Sequence, residues 1–163
     1  MPAYKLPIQE YYVADTAICY GCGRHNPHGL HIKTWWDGEI GRCEFTPKPE
    51  HTAFPGVVYG GLIACLIDCH SIGTAIAAMY QFEERPPESD PVITCVTGNL
   101  NISYLKPTYM DNVLTLESTV KEIHARKAII HTSLRVEGIE TVTADVIAVR
   151  VQERQLTEGR LHG

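Results

Sequence analysis

The stretch Pro55-Gly56-Val57-Val58-Tyr59-Gly60-Gly61-Leu62-Ile63-Ala64-Cys65-Leu66-Ile67-Asp68-Cys69-His70-Ser71-Ile72-Gly73-Thr74-Ala75-Ile76-Ala77-Ala78 decides how this chain is read. A turn signal at Pro55 and Gly56 leads into a glycine pair, then into a run that is apolar on nearly every side. Only Asp68, His70, Ser71 and Thr74 interrupt it. A helix that is apolar all round is a buried one, so the pattern predicts a core helix from about Gly60 to Gln81 with a carboxylate set into it. Burying an unpaired carboxylate is costly, and displaced acids of this kind cluster at working sites. At 3.6 residues per turn, Gly61, Ala64, Cys65, Ser71 and Ala75 share the face of Asp68. That stripe of small side chains leaves room either for a thin ligand or for a closely packed second helix. The helix start offers backbone N–H groups without intrahelical partners and the positive end of the dipole, which suits a developing oxyanion.

Working outward, the downstream half alternates over Val92 to Leu105, Val113 to Ile123, Lys127 to Val136 and Thr141 to Val151, with breaks at Pro107-Thr108, His124-Ala125 and Gly138. Short connections of this kind imply antiparallel neighbours. Upstream, His31 to Trp36 and Ile40 to Thr46 read as two strands joined at Asp37-Gly38, a hairpin dipeptide. The layout is α+β: five or six antiparallel strands with one long helix. With 163 residues the chain reads as a single domain, residues 1–12 forming an irregular arm and 152–163 a polar tail.

The bulk properties exclude several classes. A net charge of −5 argues against a nucleic-acid partner, which needs a concentrated basic face. Met1 to Tyr12 lacks the basic and apolar regions of a signal peptide, and the buried run is too interrupted to read as a bilayer span. No membrane partner and a reducing, cytoplasmic setting are therefore expected. The six cysteines then read as free thiols, with Cys65 and Cys69 as small core residues.

Three segments carry a resemblance to a known family. Pro55-Gly56 leading to Gly60-Gly61, with Asp68 nine residues after Tyr59, resembles the signature of the hotdog-fold acyl-CoA thioesterases of the PaaI-like branch. Cys19-Tyr20-Gly21-Cys22-Gly23 with Asn26-Pro27 and Gly29-Leu30 is similar to its N-terminal motif, and Thr97-Gly98-Asn99 through Lys106-Pro107 to the strand after its helix. The resemblance implies a sheet wrapped around the central helix and hydrolysis of an acyl-CoA, with coenzyme A entering only as part of the substrate. Asp68 would be general base or nucleophile, and backbone N–H at Gly60 or Gly61 would polarise the carbonyl. Active sites shared between two protomers would make a homodimer the minimum and a homotetramer possible. One departure stands out: the family's usual His is here Tyr59. That leaves open a non-catalytic acyl-CoA binding protein on the same fold.

Further residues follow from the same resemblance, each with an ordinary alternative. Thr97 matches a threonine near the acid, yet strand parity sets it opposite Leu100, Ile102 and Tyr104 unless a bulge at Gly98 resets the alternation. His51, Tyr59 and Asn99 are expected to line the substrate site, and Lys106, Arg126 and Lys127 to meet the nucleotide phosphates; a solvated loop or turn is the alternative for the basic residues. His70 lies about 160° around the helix from Asp68 and reads as a core histidine. That removes the Asp–His pair a hydratase on this fold would need. Cys19-x-x-Cys22 with His25, His28 and His31 raises zinc, but without a second well-spaced pair the expectation is no metal, the segment forming a turn that covers the substrate channel. No glycine-rich phosphate loop or G-x-S-x-G serine is present.

Overall fold

The computed structural model describes residues 4–152. Its core helix, α1 (Gly60–Phe82), starts at Tyr59, whose extended backbone (φ −60°, ψ 127°) turns its carbonyl oxygen to accept from the N–H groups of Leu62 and Ile63. Six strands surround it: β1 (Trp35–Trp36), β2 (Ile40–Phe45), β3 (Thr94–Tyr104), β4 (Leu114–His124), β5 (Lys127–Val136) and β6 (Ile139–Val151). They form one antiparallel sheet in the order β1-β2-β4-β5-β6-β3. The sheet packs around α1, which touches every strand. This is the hotdog arrangement that the sequence resemblance implies.

Alternation explains the wrapping. Along β5 and β6 buried and partly exposed residues alternate, as the two-residue period of a strand requires. The inward set (Leu134, Val142, Val146, with Leu114 and Leu116 of β4) meets Leu66 and Ile67 of α1, and nearly all of these are fully enclosed. Each such side chain contributes on the order of 1.5–3 kcal/mol by leaving water. By length and composition α1 would suffice to cross a bilayer, contrary to the sequence expectation, since one window reaches a mean hydropathy of 1.7. The sheet supplies its apolar surroundings instead, with 78% of that window buried.

Two boundaries differ from expectation. The first strand is confined to Trp35–Trp36. His31 adopts a positive φ of 55°, Ile32 donates to the Gly21 carbonyl, and the Thr34 carbonyl accepts from Ile8 N–H, so an irregular partner takes up that backbone. The segment expected as an arm is seated on the core: Ile8 and Gln9 in a 3-10 turn (Ile8–Tyr11) are buried, and Gln9 hydrogen-bonds Thr34. The tail expected over 152–163 lies, past Gln152, outside the described residues.

Candidate active site

Asp68 sits two turns into α1, where the helix passes beneath β3. Its carboxyl group is half-buried, and Oδ1 accepts a hydrogen bond from Thr97 Oγ1. Burial pushes the Asp68 pKa above the ordinary carboxylate value, opposed by the Thr97 hydrogen bond. Thr97 reaches the acid because β3 carries a register shift between Thr97 and Asn99. Cys95 and Thr97 face α1 before the irregularity, and after it Leu100 and Ile102 pack against the core around the first half of α1. The bulge at Gly98 is thus what reconciles Thr97 with the strand's parity.

Asp68 and Thr97 stand in the wall of a cavity of about 320 Å³. Ile72, Ile76, Ile93 and Val96 give it an apolar lining, and Tyr12 and Ala17 of the N-terminal segment contribute to the same wall. The carboxyl group therefore neither points to bulk solvent nor lies sealed under packed neighbours. His70, on the opposite side of α1, is fully buried with Nδ1 3.0 Å from Thr34 Oγ1. Burial pushes its pKa down to about 3, so the imidazole is neutral and takes no part in this cavity.

Most of the other expected residues fall into two separate groups, with Asn99 and Lys106 in neither. At the start of α1, Tyr59, Gly61 and His51 line a second cavity of about 370 Å³ together with Lys48 and Leu62. The Tyr59 ring folds back over Gly61 so closely that a Cβ there would lie 2.4 Å from it, and any larger residue would have to displace that exposed ring. The Tyr104 hydroxyl donates to the Gly60 carbonyl at 2.8 Å and fixes the first turn. His51 is held by the Lys48 N–H, which donates to its Nδ1 at 3.0 Å, and by a tilted ring contact with Phe45. Asn99 and Lys106 are exposed, on β3 and just beyond its end.

The third group is at the β4–β5 turn. Arg126 borders a cleft with Asp90, Val92 and Arg150, while Lys127 is exposed at the start of β5. Val92 lines both this cleft and the Asp68 cavity, so the two adjoin. Arg150, absent from the sequence expectations, is tied to Glu83 by an ion pair. Arg126 has no carboxylate partner among the described residues.

One grouping was anticipated only in part: the Cys19-x-x-Cys22 pair was visible, its meeting with Cys69 was not. Cys19 and Cys22 project from their turn onto Cys69 of α1, and the three Sγ atoms lie within 4.8 Å of one another. None of His25, His28 or His31 joins them. Hydrogen bonds from the Cys22 and Cys69 thiols hold Cys19 well below the ordinary thiol value, and the same sharing with Cys19 pushes Cys22 up to about 12 and Cys69 higher still. The available signal was Cys65-x-x-x-Cys69, a spacing that puts two thiols on one helix face. All six cysteines are free.

Comparison with known proteins bears on the family and the fold. A Thioesterase superfamily protein from Shewanella loihica is 40% identical, with a TM-score of 0.62, the alignment covering 77% of this chain and 95% of that one. The Escherichia coli PaaI protein from the phenylacetic acid degradation operon shares the fold at 13% identity and a TM-score of 0.62, over 76% and 81% of the two chains. The rat acyl-coenzyme A thioesterase THEM4 is 27% identical over 110 residues, 68% of this chain and 42% of that protein; the chain thus spans less than half of that relative's length. The profile of the Thioesterase superfamily matches residues 55–143, a span holding the glycine pair, the acid, Thr97, three whole strands (β3, β4 and β5) and the start of β6. On that match, with an acid set in an apolar cavity beneath a wrapped sheet, the chain belongs to the thioesterase superfamily.

Proposed function

We propose that this protein hydrolyses an acyl-CoA thioester, with Asp68 delivering water or attacking the carbonyl and Thr97 holding the carboxylate in place. The observation that carries the reading is the Asp68–Thr97 pair in the wall of an apolar cavity. The acyl group would occupy that cavity, and the adjoining cleft at Arg126 would take the phosphate-bearing end of coenzyme A. A carboxylate with a raised pKa retains basicity. Lys127, and Lys106 at the far end of β3, would add diffuse attraction for the phosphates.

The oxyanion donor is assigned to the backbone N–H of Gly60, the first residue of α1, with Gly61 beside it. Seven or eight residues of helix separate these groups from Asp68, a distance of about 10 Å. One thioester carbon cannot touch both within a chain, so the complete site takes the acid from one protomer and the helix start from another. A dimer is the minimum assembly, and pairing of dimers would give a tetramer. His51, Tyr59 and Asn99 would then border the substrate from the helix-start side. A reducing, cytoplasmic setting belongs to the same proposal and suits six free thiols.

The test is release of free thiol from short, medium, long and aromatic acyl-CoAs by the purified chain and by Asp68→Asn. Turnover that Asp68→Asn abolishes is expected; no hydrolysis of any of these substrates, or full activity in the variant, rejects the mechanism. A second reading rests on the Tyr59 ring over Gly61. If that ring blocks the carbonyl's approach, the chain binds acyl-CoA without turning it over. Calorimetry with a thioether analogue would then report binding where the assay reports none, and Tyr59→His would gain activity.

A further inference from the structure

We propose that Cys19, Cys22 and Cys69 form a binding site for a thiophilic divalent cation of the zinc class, with Cys65 as the nearest fourth thiol. The three sulfur atoms come from two segments about 50 residues apart and converge within 4.8 Å. Cys19 Sγ and Cys69 Sγ stand 3.8 Å apart. Tetrahedral zinc with Zn–S bonds of about 2.3 Å separates its sulfur ligands by about 3.8 Å. The spacing is far beyond the ~2 Å of a disulfide, and a third thiol has no role in a two-sulfur bridge.

The backbone is shaped to bring the thiols together. At Gly21, between the two turn cysteines, an added Cβ would lie 2.3 Å from Cys69 Sγ and 3.1 Å from Cys65 Sγ. Any side chain there would wedge the turn away from α1, so glycine lets the Cys-x-x-Cys turn lie directly on the helix. Cys65 and Cys69 are one turn apart on the same helix face, which puts the fourth thiol alongside the third. Asp68 shares the cavity wall with Cys19, Cys22 and Cys69 and is left to the chemistry proposed above.

Bound there, the ion fastens the N-terminal segment to α1 and closes one wall of the acyl cavity. The role is structural, and the site stands or falls independently of thioester hydrolysis. The remaining cysteines provide an internal contrast. Cys43 is buried elsewhere in the core, and Cys95 lines the same cavity without joining the three clustered sulfur atoms, so neither completes the set.

The experiment is a titration of Zn(II) and Co(II) into the untagged, reduced, metal-free full-length chain, with elemental analysis after desalting. Uptake of one ion per chain is expected, with intense thiolate-to-cobalt charge-transfer absorption, release of protons and slower amide exchange over residues 17–23. Cys22→Ser and Cys69→Ser should lose stoichiometric uptake, while Cys43→Ala keeps it. Should the buried substitutions fail to fold, Cys19→Ser, at the exposed member of the set, should lose the same uptake. Absence of uptake by the reduced wild type, undiminished uptake by a folded Cys19→Ser or Cys22→Ser, or a Cys19–Cys22 disulfide persisting after reduction, each overturns the site.

Discussion

The acid end and the start of α1 are parts of one proposed reaction, built from different materials. At Asp68 the working group is a side chain, held by Thr97 and set into an apolar cavity whose burial raises its pKa. At Gly60 the working group is the backbone itself. The first N–H groups of a helix have no intrahelical partner, and the side chains nearby serve to shape the turn through the Tyr104 hydroxyl and the Tyr59 ring. One end can be disabled by exchanging an oxygen for a nitrogen, whereas the other yields only to a change in the main chain. The contrast explains how Tyr59 can stand at the family's histidine position while the N–H donor remains.

The largest expected loss is at the acid. Asp68→Asn should lower kcat in the thiol-release assay by about 10²–10⁴, with a melting temperature at or above that of the wild type, because a buried carboxylate has been neutralised. Gly60→Pro probes the other end. Proline suits the first helical position, lacks an N–H, and an added Cβ there meets only the Tyr104 ring, at 3.6 Å. It should cost about 10²–10³ in kcat with the fold retained by circular dichroism. Mixing the two inactive variants should restore activity, because a mixed dimer carries one intact acid facing one intact helix start. Failure of that mixture to recover activity would assign both groups to sites within single chains.

Smaller effects follow for the supporting residues. Thr97→Val removes a hydrogen bond to a charged group, worth about 1.5–3 kcal/mol, so kcat should fall about 10- to 100-fold. Smallest of all is Arg126→Ala, which should raise KM several-fold with little change in kcat, since exposed charge contacts contribute only about 1 kcal/mol or less. That rise should shrink as salt is added. A kcat effect at Arg126 as large as that at Thr97 would show that the cleft does more than bind.

The helix was legible because an apolar run of that length with a glycine pair at its head has few other readings. Asp68 stood out as the sole carboxylate within it. The bulge at Gly98 could be anticipated from parity, since Thr97 and Leu100 can share a face only if the two-residue period slips once between them. The start of β1 could not. His31 to Thr34 has the composition of a strand, but its hydrogen bonds go to Gly21 and to the N-terminal turn, partners that only the folded chain supplies. The same limit hid the thiol cluster. Cys19-x-x-Cys22 and Cys65-x-x-x-Cys69 are each visible, yet nothing local says that the turn lands on that helix face.

Periodicity and composition, which are properties of neighbouring residues, determined the central helix, the alternating strands around it and the setting of one carboxylate, Asp68, within that helix. Contacts between distant segments decided the rest. Closing the sheet set the cavity beside Asp68, seated the N-terminal segment on the core, adjoined the Arg126 cleft to that cavity and gathered three sulfur atoms around one point. Those features depend on where separate pieces of chain meet in space, and that is fixed by burying their shared apolar surface.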